Sequence, residues 1–433
     1  MKKILFIIIN VILLGGFLVV KQNSEINSNY VKVDRGTFIL NGKPYYFLGT
    51  NLWYGMNLGS KGPSGDRQRL INELDFLKKI GVKNLRVMAA SEGPDSEKWR
   101  MLPSLQYSPG KYNNDLLDGL DFLLYEMGKR DMKAIMCMNN FWHWSGGMAQ
   151  YVSWQSRTKI PYPPIEGDGD WNRYQEYTSS FYSNKEAKSL YYNHLRFIVL
   201  RKNRYNGKLY CDDPTIMSWQ LGNEPRGINN RKNFLDWIET SAKLIKEIDP
   251  NHLVTVGSEG ATSDPSSGNN FFEDHDSKYI DYTTIHIWIQ NWGWFDPNNE
   301  ESLNSSMDKV RMYINEHEKL ATKLNKPVVL EEFGISRDHN NYSPNSSIKL
   351  RDKYFNEVFN IILLKIKEDS PIAGLNFWAW GGFGRPNKPK AIWKKNDDFI
   401  GDPPHEFQGW YSIYNSDLST IKIIKHFTSK FNL

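Results

Sequence analysis

Two glutamates stand where apolar runs give out into loops. Glu224 closes the run Ser218-Trp219-Gln220-Leu221-Gly222-Asn223-Glu224-Pro225-Arg226, and Glu332 closes Val328-Val329-Leu330-Glu331-Glu332-Phe333-Gly334. If both runs are strands of one barrel, their ends meet across its mouth, and two carboxyls can flank one scissile bond. Cleavage of a glycosidic bond needs such a pair: one acid protonates the leaving oxygen while the other attacks carbon or activates water. Carboxyls projecting from barrel strands are expected about 5–5.5 Å apart, the spacing of a retaining mechanism through a covalent glycosyl-enzyme. A lone glutamate reads as well as a loop cap or the partner of a barrel arginine. Two at equivalent strand ends, with aromatic loops around them, favour chemistry. Metal chemistry has no comparable signal. His143, His194, His275, His317, His339 and His405 form no H-x-x-x-H or H-E-x-x-H pattern, so no metal or other cofactor is expected.

The elements that must hold these acids are legible in the periodicity. Eight short β-rich runs recur, at Tyr45–Asn51, Asn84–Ala89, Lys133–Asn139, Ile216–Gly222, Leu253–Gly257, Tyr282–Trp288, Pro327–Phe333 and Ile372–Trp378. Their near-continuous apolar character suits strands buried on both faces, as in a parallel sheet. Helical stripes lie between them: Leu70, Leu74 and Leu77 before Gly81; Leu116, Leu120, Leu123 and Met127; and Phe234, Trp237, Ile238, Leu244, Ile245 and Ile248 before Pro250. Strand-loop-helix repeated eight times over about 400 residues predicts an α/β fold, a (β/α)₈ TIM barrel. A doubly wound open sheet is the alternative, but no Gly-rich phosphate loop follows the first strand.

Loops at strand C-termini build the working face of such barrels. The longest follow strands two (Ser91–Asp115), three (Asn140–Ser183) and eight (Ala379–Thr420), and they carry Trp99, Trp142, Trp144, Trp154, Trp171, Trp380, Trp393 and Trp410. Eight tryptophans in segments rich in Gly, Pro and Asn predict an open substrate cleft, because flat rings stack on pyranose faces. The whole chain holds 15 Trp, 23 Tyr and 22 Phe, most of which must be core.

The formal charge of +5 is small for 433 residues and spread along the chain, which argues against a nucleic-acid partner. Cys137, in the apolar run Ala134–Met138, reads as a buried inert thiol; a bridge to Cys211 stays open. Lys2-Lys3 followed by apolar Ile4–Val20 reads as an export signal or an uncleaved N-terminal anchor. The expected organisation is therefore residues 1–28 as signal or anchor plus linker, and 29–433 as one catalytic domain. The expected product is exported, either secreted or held at the cell surface, with membrane contact only through that segment.

Asn223-Glu224-Pro225-Arg226, Glu332-Phe333-Gly334, Arg86 in Leu85-Arg86-Val87 and His286-Ile287-Trp288 together resemble glycoside hydrolase family 5. The loops Phe141-Trp142-His143-Trp144-Ser145-Gly146-Gly147-Met148 and Asp213-Pro214-Thr215-Ile216-Met217, with Trp292-Gly293-Trp294 and Phe377-Trp378-Ala379-Trp380-Gly381-Gly382, resemble its endo-β-1,4-mannanase branch in bacterial form. The resemblance runs from about residue 31 to the end. It implies Glu224 as acid/base and Glu332 as nucleophile. It implies Asn223 as the contact to the sugar 2-hydroxyl, which mannose carries axially, and Arg86 as the cation orienting Glu332. His286 and Trp288 match the strand-six site residues, although the family often has Tyr where Trp288 stands. Trp378 matches the platform under the sugar at the cleavage point, and Arg226 a contact to the next sugar on the glycone side. Trp142 and Trp292 are candidates for outer subsites, and Trp53 for the glycone floor. Glu331, by strand alternation, should point away from the site toward the helices.

These residues imply retaining, endo-acting hydrolysis of β-1,4-mannosidic linkages in mannan, glucomannan or galactomannan by a monomer without a cofactor. A β-1,4-glucanase would use the same acids on a different polysaccharide. A silent surface glycan-binding protein would keep the barrel and aromatics without the pair.

Overall fold

A computed structural model describes residues 29–431 except 165–169 and 263. Export signal, anchor and linker, expected over residues 1–28, lie outside the described residues. No helix among the described residues is long and apolar enough to cross a membrane.

All eight expected strands form, each within its expected bounds: β1 Phe47–Asn51, β2 Asn84–Met88, β3 Lys133–Cys137, β4 Ile216–Gln220, β5 Leu253–Thr255, β6 Thr283–Ile287, β7 Val328–Phe333 and β8 Ile372–Phe377. They make one parallel eight-stranded sheet in the order β5-β4-β3-β2-β1-β8-β7-β6. The open edge is closed by single bonds instead of a ladder. Asp281 N–H donates to Val254 O at 2.8 Å, and His286 N–H to Glu259 O at 3.0 Å. Nearly every strand residue is buried, which is why these runs lack polar alternation.

A helix follows each strand: α1 Arg67–Lys79, α2 Asn114–Gly128, α3 Lys185–Val199, α4 Arg231–Ile248, α5 Phe271–His275, α6 Ser302–Leu324, α7 Lys349–Lys367 and α8 Leu418–Phe431. Their starts are set by side chains: Asp66, Asn113 and Asn184 accept the free N–H groups of the first turns of α1, α2 and α3. The expected stripes face inward, with Leu70, Leu74 and Leu77 of α1 fully buried. These contacts make the fold the expected (β/α)₈ barrel.

Periodicity did not reveal the floor. An antiparallel sheet of Lys32–Asp34, Thr37–Leu40 and Lys43–Pro44 covers the N-terminal end of the barrel. Its Phe38 packs on Phe47 and Tyr282 within a cluster that includes Ile135, Met217 and Val329. The turn dipeptides Arg35-Gly36 and Asn41-Gly42 all have positive φ, and Asn-Gly between apolar runs is the hairpin signal that marks this sheet.

The barrel interior is polar toward the floor. Asn376 donates to Asn84 at 3.0 Å across it. A Cβ on Gly49 would sit 2.4 Å from both Asn84 O and Asn376 Nδ2, so only glycine fits there. Cys137 and Cys211 are free thiols, and burial pushes Cys137 up to about 12. That makes Cys137 the inert core residue expected.

Candidate active site

Strand ends β4, β6 and β7 bring the two acids together. Glu224 lies just past β4 with φ +50°, a left-handed conformation that side chains rarely adopt, held by its N–H bond to Gly257 O at 2.9 Å. Glu332 lies inside β7. Between them stands His286 of β6: Nδ1 is 2.6 Å from Glu224 Oε1 and 3.4 Å from Glu332 Oε2. The nearest ligand-type atoms of the three residues all lie within 4.8 Å of one another. Carboxyls this close leave no room for the water that an inverting enzyme places between acid and sugar, so the spacing is that of retention. Arg86 and His286 already occupy oxygens of this cluster, the one group of metal-ligating type found among the described residues.

Arg86 is buried beneath Glu332 and spends its donors on four side chains. It donates to Glu332 Oε1, to Gln220 Oε1 (2.9 Å), to Asn51 Oδ1 (3.0 Å) and to Asn223 Oδ1 (2.7 Å). It therefore orients the nucleophile and Asn223 from below and does not line the cavity. Asn223 does line it, and its Nδ2 donates to Asn140 Oδ1 at 3.1 Å.

The charges are shared. Burial tends to raise Glu224, but the hydrogen bond and charge of His286, then Arg226 and the Trp142 N–H, outweigh it and bring it to about 2. Burial raises Glu332 to about 7 against the pull of His286 and Arg86. Burial would lower His286, yet Glu332 and Glu224 hold it up at about 10. His286 Nδ1 stands one 2.6 Å hydrogen bond from Glu224 Oε1, within reach of passing a proton to it.

Aromatic walls complete a cavity of about 620 Å³. Trp142 Nε1 donates to Glu224 Oε2 at 2.5 Å, and Trp288 Nε1 to Glu224 Oε1 at 3.3 Å. The indole of Trp288 thus serves the acid/base. Arg226 stacks over Trp142 at 4.9 Å and is fixed by both oxygens of Glu259, at 2.7 and 2.9 Å. Trp292 lines the cavity beside Trp294 and Tyr313, and Trp378 lines it at the end of β8.

Several expectations change. Trp53 is not a glycone floor: it is 2% exposed, packs on Trp144 and Phe399, and donates to Gly401 O at 3.0 Å, supporting the β8 loop from behind. Of the eight loop tryptophans, Trp142, Trp144, Trp171 and Trp410 line the cavity. Trp99, Trp154, Trp380 and Trp393 pack elsewhere, Trp380 being fully buried with its N–H on Glu73 at 2.7 Å. Glu331 does not face the helices. Leu330 pairs with Ile285 and Glu332 with His286, leaving Glu331 unpaired in a bulge that turns it into the barrel with its neighbour. There it accepts from Gln220 Nε2 and lies 3.7 Å from Arg86 Nε and 3.9 Å from His286 Nε2.

The sequence reading also missed site residues. Glu259 follows β5 as Glu224 follows β4, and that shared strand-end position was the signal available. Gln175 sits on a short helix, Trp171–Ser179, and Asp264, Asn291, His405, Glu406 and Tyr411 lie outside the barrel strands, with no strand pattern to place them.

An eight-stranded barrel with two glutamates at retaining distance on the strand C-termini, inside a tryptophan-walled cavity, defines a retaining glycoside hydrolase. A family model described as "GH family 5 beta-mannosidase-like" matches residues 28–433, and the chain belongs to that family. It is 30% identical over 369 residues to mannan endo-1,4-beta-mannosidase 1 of Arabidopsis thaliana, covering 82% of each chain. It is 32% identical to mannan endo-1,4-beta-mannosidase 4 of Solanum lycopersicum over 83% of this chain and 85% of that one. Among solved structures, a glycoside hydrolase family 5 mannosidase from Rhizomucor miehei superposes with TM-score 0.86 at 39% identity, covering 94% of this chain and 98% of that one. A mutant of that mannosidase was solved with mannosyl-fructose bound, and matches with TM-score 0.86 at 38% identity over 93% and 97% of the two chains.

Proposed function

We propose that this enzyme hydrolyses β-1,4-mannosidic linkages in mannan, glucomannan or galactomannan, within the chain, by double displacement. The observation that carries the mechanism is the Glu224–His286–Glu332 cluster, with its carboxylates bridged by one imidazole. The mannan endo-1,4-beta-mannosidases named above support the substrate.

In the first step Glu332, held by Arg86, attacks the anomeric carbon as the glycosidic bond breaks. The proton on His286 Nδ1 passes to Glu224 Oε1, and Glu224 gives it to the leaving oxygen. The glycosyl ester removes the charge of Glu332. Glu224 then takes a proton from water, which attacks the same carbon and frees Glu332. The leaving sugar must lie on the Glu224 side, among Trp142, Trp171, Gln175 and Arg226. The sugar being transferred lies over Glu332 and Trp378. This assigns Arg226 to the leaving-group side, not to the glycone side first expected for it.

A second reading has one specific observation behind it. The β3 loop and the β8 loop meet, His143 against His405 at 4.8 Å. A contact of this kind that closed one end of the cavity would favour release of sugar from a chain end, and the Rhizomucor neighbour is named a mannosidase.

The test is incubation with linear β-1,4-mannan, mannohexaose and carboxymethyl cellulose beside Glu332→Ala. Mannobiose and mannotriose from mannan support internal cleavage, whereas mannose released one unit at a time supports the chain-end reading. Cellulose-only activity, or equal activity in Glu332→Ala, overturns the mannoside reading or the nucleophile. Lys2-Lys3 and apolar Ile4–Val20 support export, and a monomer is the proposed working unit; fractionation of the full chain and light scattering test these.

A further inference from the structure

Two buried atoms beside the catalytic cluster have no hydrogen-bond partner among the described residues: His286 Nε2 and Glu331 Oε1. Both side chains are fully enclosed in the barrel, and Glu331 Oε2 lies 3.9 Å from His286 Nε2. Enclosing unpaired polar atoms is costly. The gap is longer than a hydrogen bond, and a single water or a small turn of the carboxylate closes it. The double displacement uses His286 only through Nδ1, on the other side of the ring, and makes no use of Glu331.

Glu331 is held in place from several sides. The bulge at Ile285/His286 brings it into the barrel. Its Oε2 accepts from Gln220 Nε2, and Gln220 Oε1 accepts from Arg86 Nε at 2.9 Å, with Arg86 Nε itself 3.7 Å from Glu331. The other acids around the imidazole are placed differently. Glu224, after β4, and Glu332, on β7, make their nearest approach at Nδ1. Glu259, after β5, is taken up by Arg226. Burial keeps the Tyr282 hydroxyl and the Cys137 thiol, both near Glu331, in their neutral forms. Glu331 is the acid whose nearest approach to the ring is at Nε2.

We propose that Glu331 is a positioning residue for proton delivery: it holds the Nε2 proton of His286 and so fixes Nδ1 as the nitrogen that exchanges a proton with Glu224. A neutral imidazole carries one N–H, on either nitrogen. Were that N–H on Nδ1, giving it to Glu224 would leave an imidazolate. With the Nε2 proton held by Glu331, the second proton of the imidazolium sits on Nδ1 and can leave. It passes to Glu224 Oε1 and from there to the leaving oxygen, and the ring stays behind neutral with its Nε2–H in place. In the hydrolytic step the proton that Glu224 takes from water returns to Nδ1, so the ring ends as it began. A partner on the second nitrogen fixes the tautomer of a working histidine in general. The inference rests on the acid/base reading of Glu224 above.

The experiment compares wild type, Glu331→Gln and Glu331→Asp in kcat/KM against pH, on mannohexaose and on dinitrophenyl mannoside, whose leaving group needs no proton. Glu331→Gln removes the charge facing Nε2, so the alkaline limb on mannohexaose should fall from about 10 to about 8, a loss of about tenfold at pH 9. Dinitrophenyl mannoside should lose little at that pH, and Glu331→Asp should restore part of the limb. An unmoved limb in Glu331→Gln overturns the proposal. So does an equal loss on both sugars at every pH, which is what a displaced nucleophile would give. If Glu331→Gln does not fold, the nitrogen-15 resonances of the histidines in wild type decide, His286 being assigned by the signal missing in His286→Asn. As pH rises Nδ1 should lose its proton and Nε2 keep its own; loss from Nε2 overturns the proposal. Inactivity of wild type on both sugars, or a wild-type rate on mannohexaose in Glu224→Gln, would instead overturn the acid/base reading, on which the histidine resonances do not depend.

Discussion

Replacing Arg86 with methionine should convert the enzyme into one that works only at high pH. Arg86 is 4% exposed and is the one full cation in hydrogen-bond contact with Glu332, the remaining neighbour of that type being His286 at 3.4 Å. Breaking a buried charge pair by removing one partner costs about 3–5 kcal/mol if the remaining charge stays. Glu332 can avoid that cost by taking a proton, and burial already holds it up at about 7. If about 2.7 kcal/mol of the lost interaction appears as a shift, Glu332 rises by about two pH units, at 1.36 kcal/mol each. The ionised fraction at pH 7 then falls from roughly one half to roughly 1%, so kcat/KM falls about 50-fold there. It should climb about tenfold per pH unit toward pH 9, where wild type is flat. The assay is kcat/KM for an aryl β-mannoside between pH 5 and 10, with circular dichroism to confirm the fold. A loss equally deep at every pH would refute this reasoning, since it would mean that Arg86 positions Glu332 without tuning its charge.

The wild-type profile should itself be a bell. Glu332 must be ionised to attack, so activity falls as pH drops through about 7; the proton shared by His286 and Glu224 must be present, so activity falls again as pH rises through about 10. An optimum near pH 5 would contradict this charge arrangement. Glu224→Gln should lower kcat roughly 10²–10⁴-fold on mannan, the usual scale of general acid–base catalysis, and far less on dinitrophenyl mannoside, whose leaving group needs no proton. Equal losses on both substrates would remove Glu224 from the acid role. Trp171 is 41% exposed at the cavity edge; Trp171→Ala should raise KM for mannohexaose while leaving kcat and, within about 0.5 kcal/mol, stability unchanged. Phe38→Ala should do the reverse, costing about 3–5 kcal/mol in denaturant unfolding while leaving KM alone, because Phe38 is buried in the barrel floor far from the chemistry.

The eight strands were legible because burial on both faces writes a continuous apolar run, and Glu224 and Glu332 because they interrupt such runs at the same kind of place. Trp53 misled for the same reason: it also follows a strand, but the β8 loop folds over it, and no local pattern records that a loop from 348 residues away takes its N–H. His405 and Glu406 were invisible for want of periodicity. Their position depends on Asp402 and Gln408 folding the loop upon itself. The sequence located what strands position, and it did not locate what loops position against one another.

Glu331 shows how far one irregularity can carry. Regular alternation would send it to the helices and leave the barrel above Gln220 without an acid. The bulge at Ile285/His286 turns it inward instead, where Gln220 links it to the guanidinium holding the nucleophile: Arg86 Nε donates to Gln220 Oε1, and Gln220 Nε2 donates to Glu331. His286 consequently has acids on both sides, Glu224 and Glu332 at Nδ1 and Glu331 at 3.9 Å from Nε2. An imidazole so placed keeps its proton until substrate draws it toward Glu224, and Arg86 is anchored at both ends instead of one. Two consecutive glutamates therefore divide the work through a single unpaired residue. Glu332 faces the cavity, and Glu331, which does not line it, adds its charge 3.7 Å from Arg86 Nε and 3.9 Å from His286 Nε2, behind the two groups that set how Glu332 and Glu224 are charged.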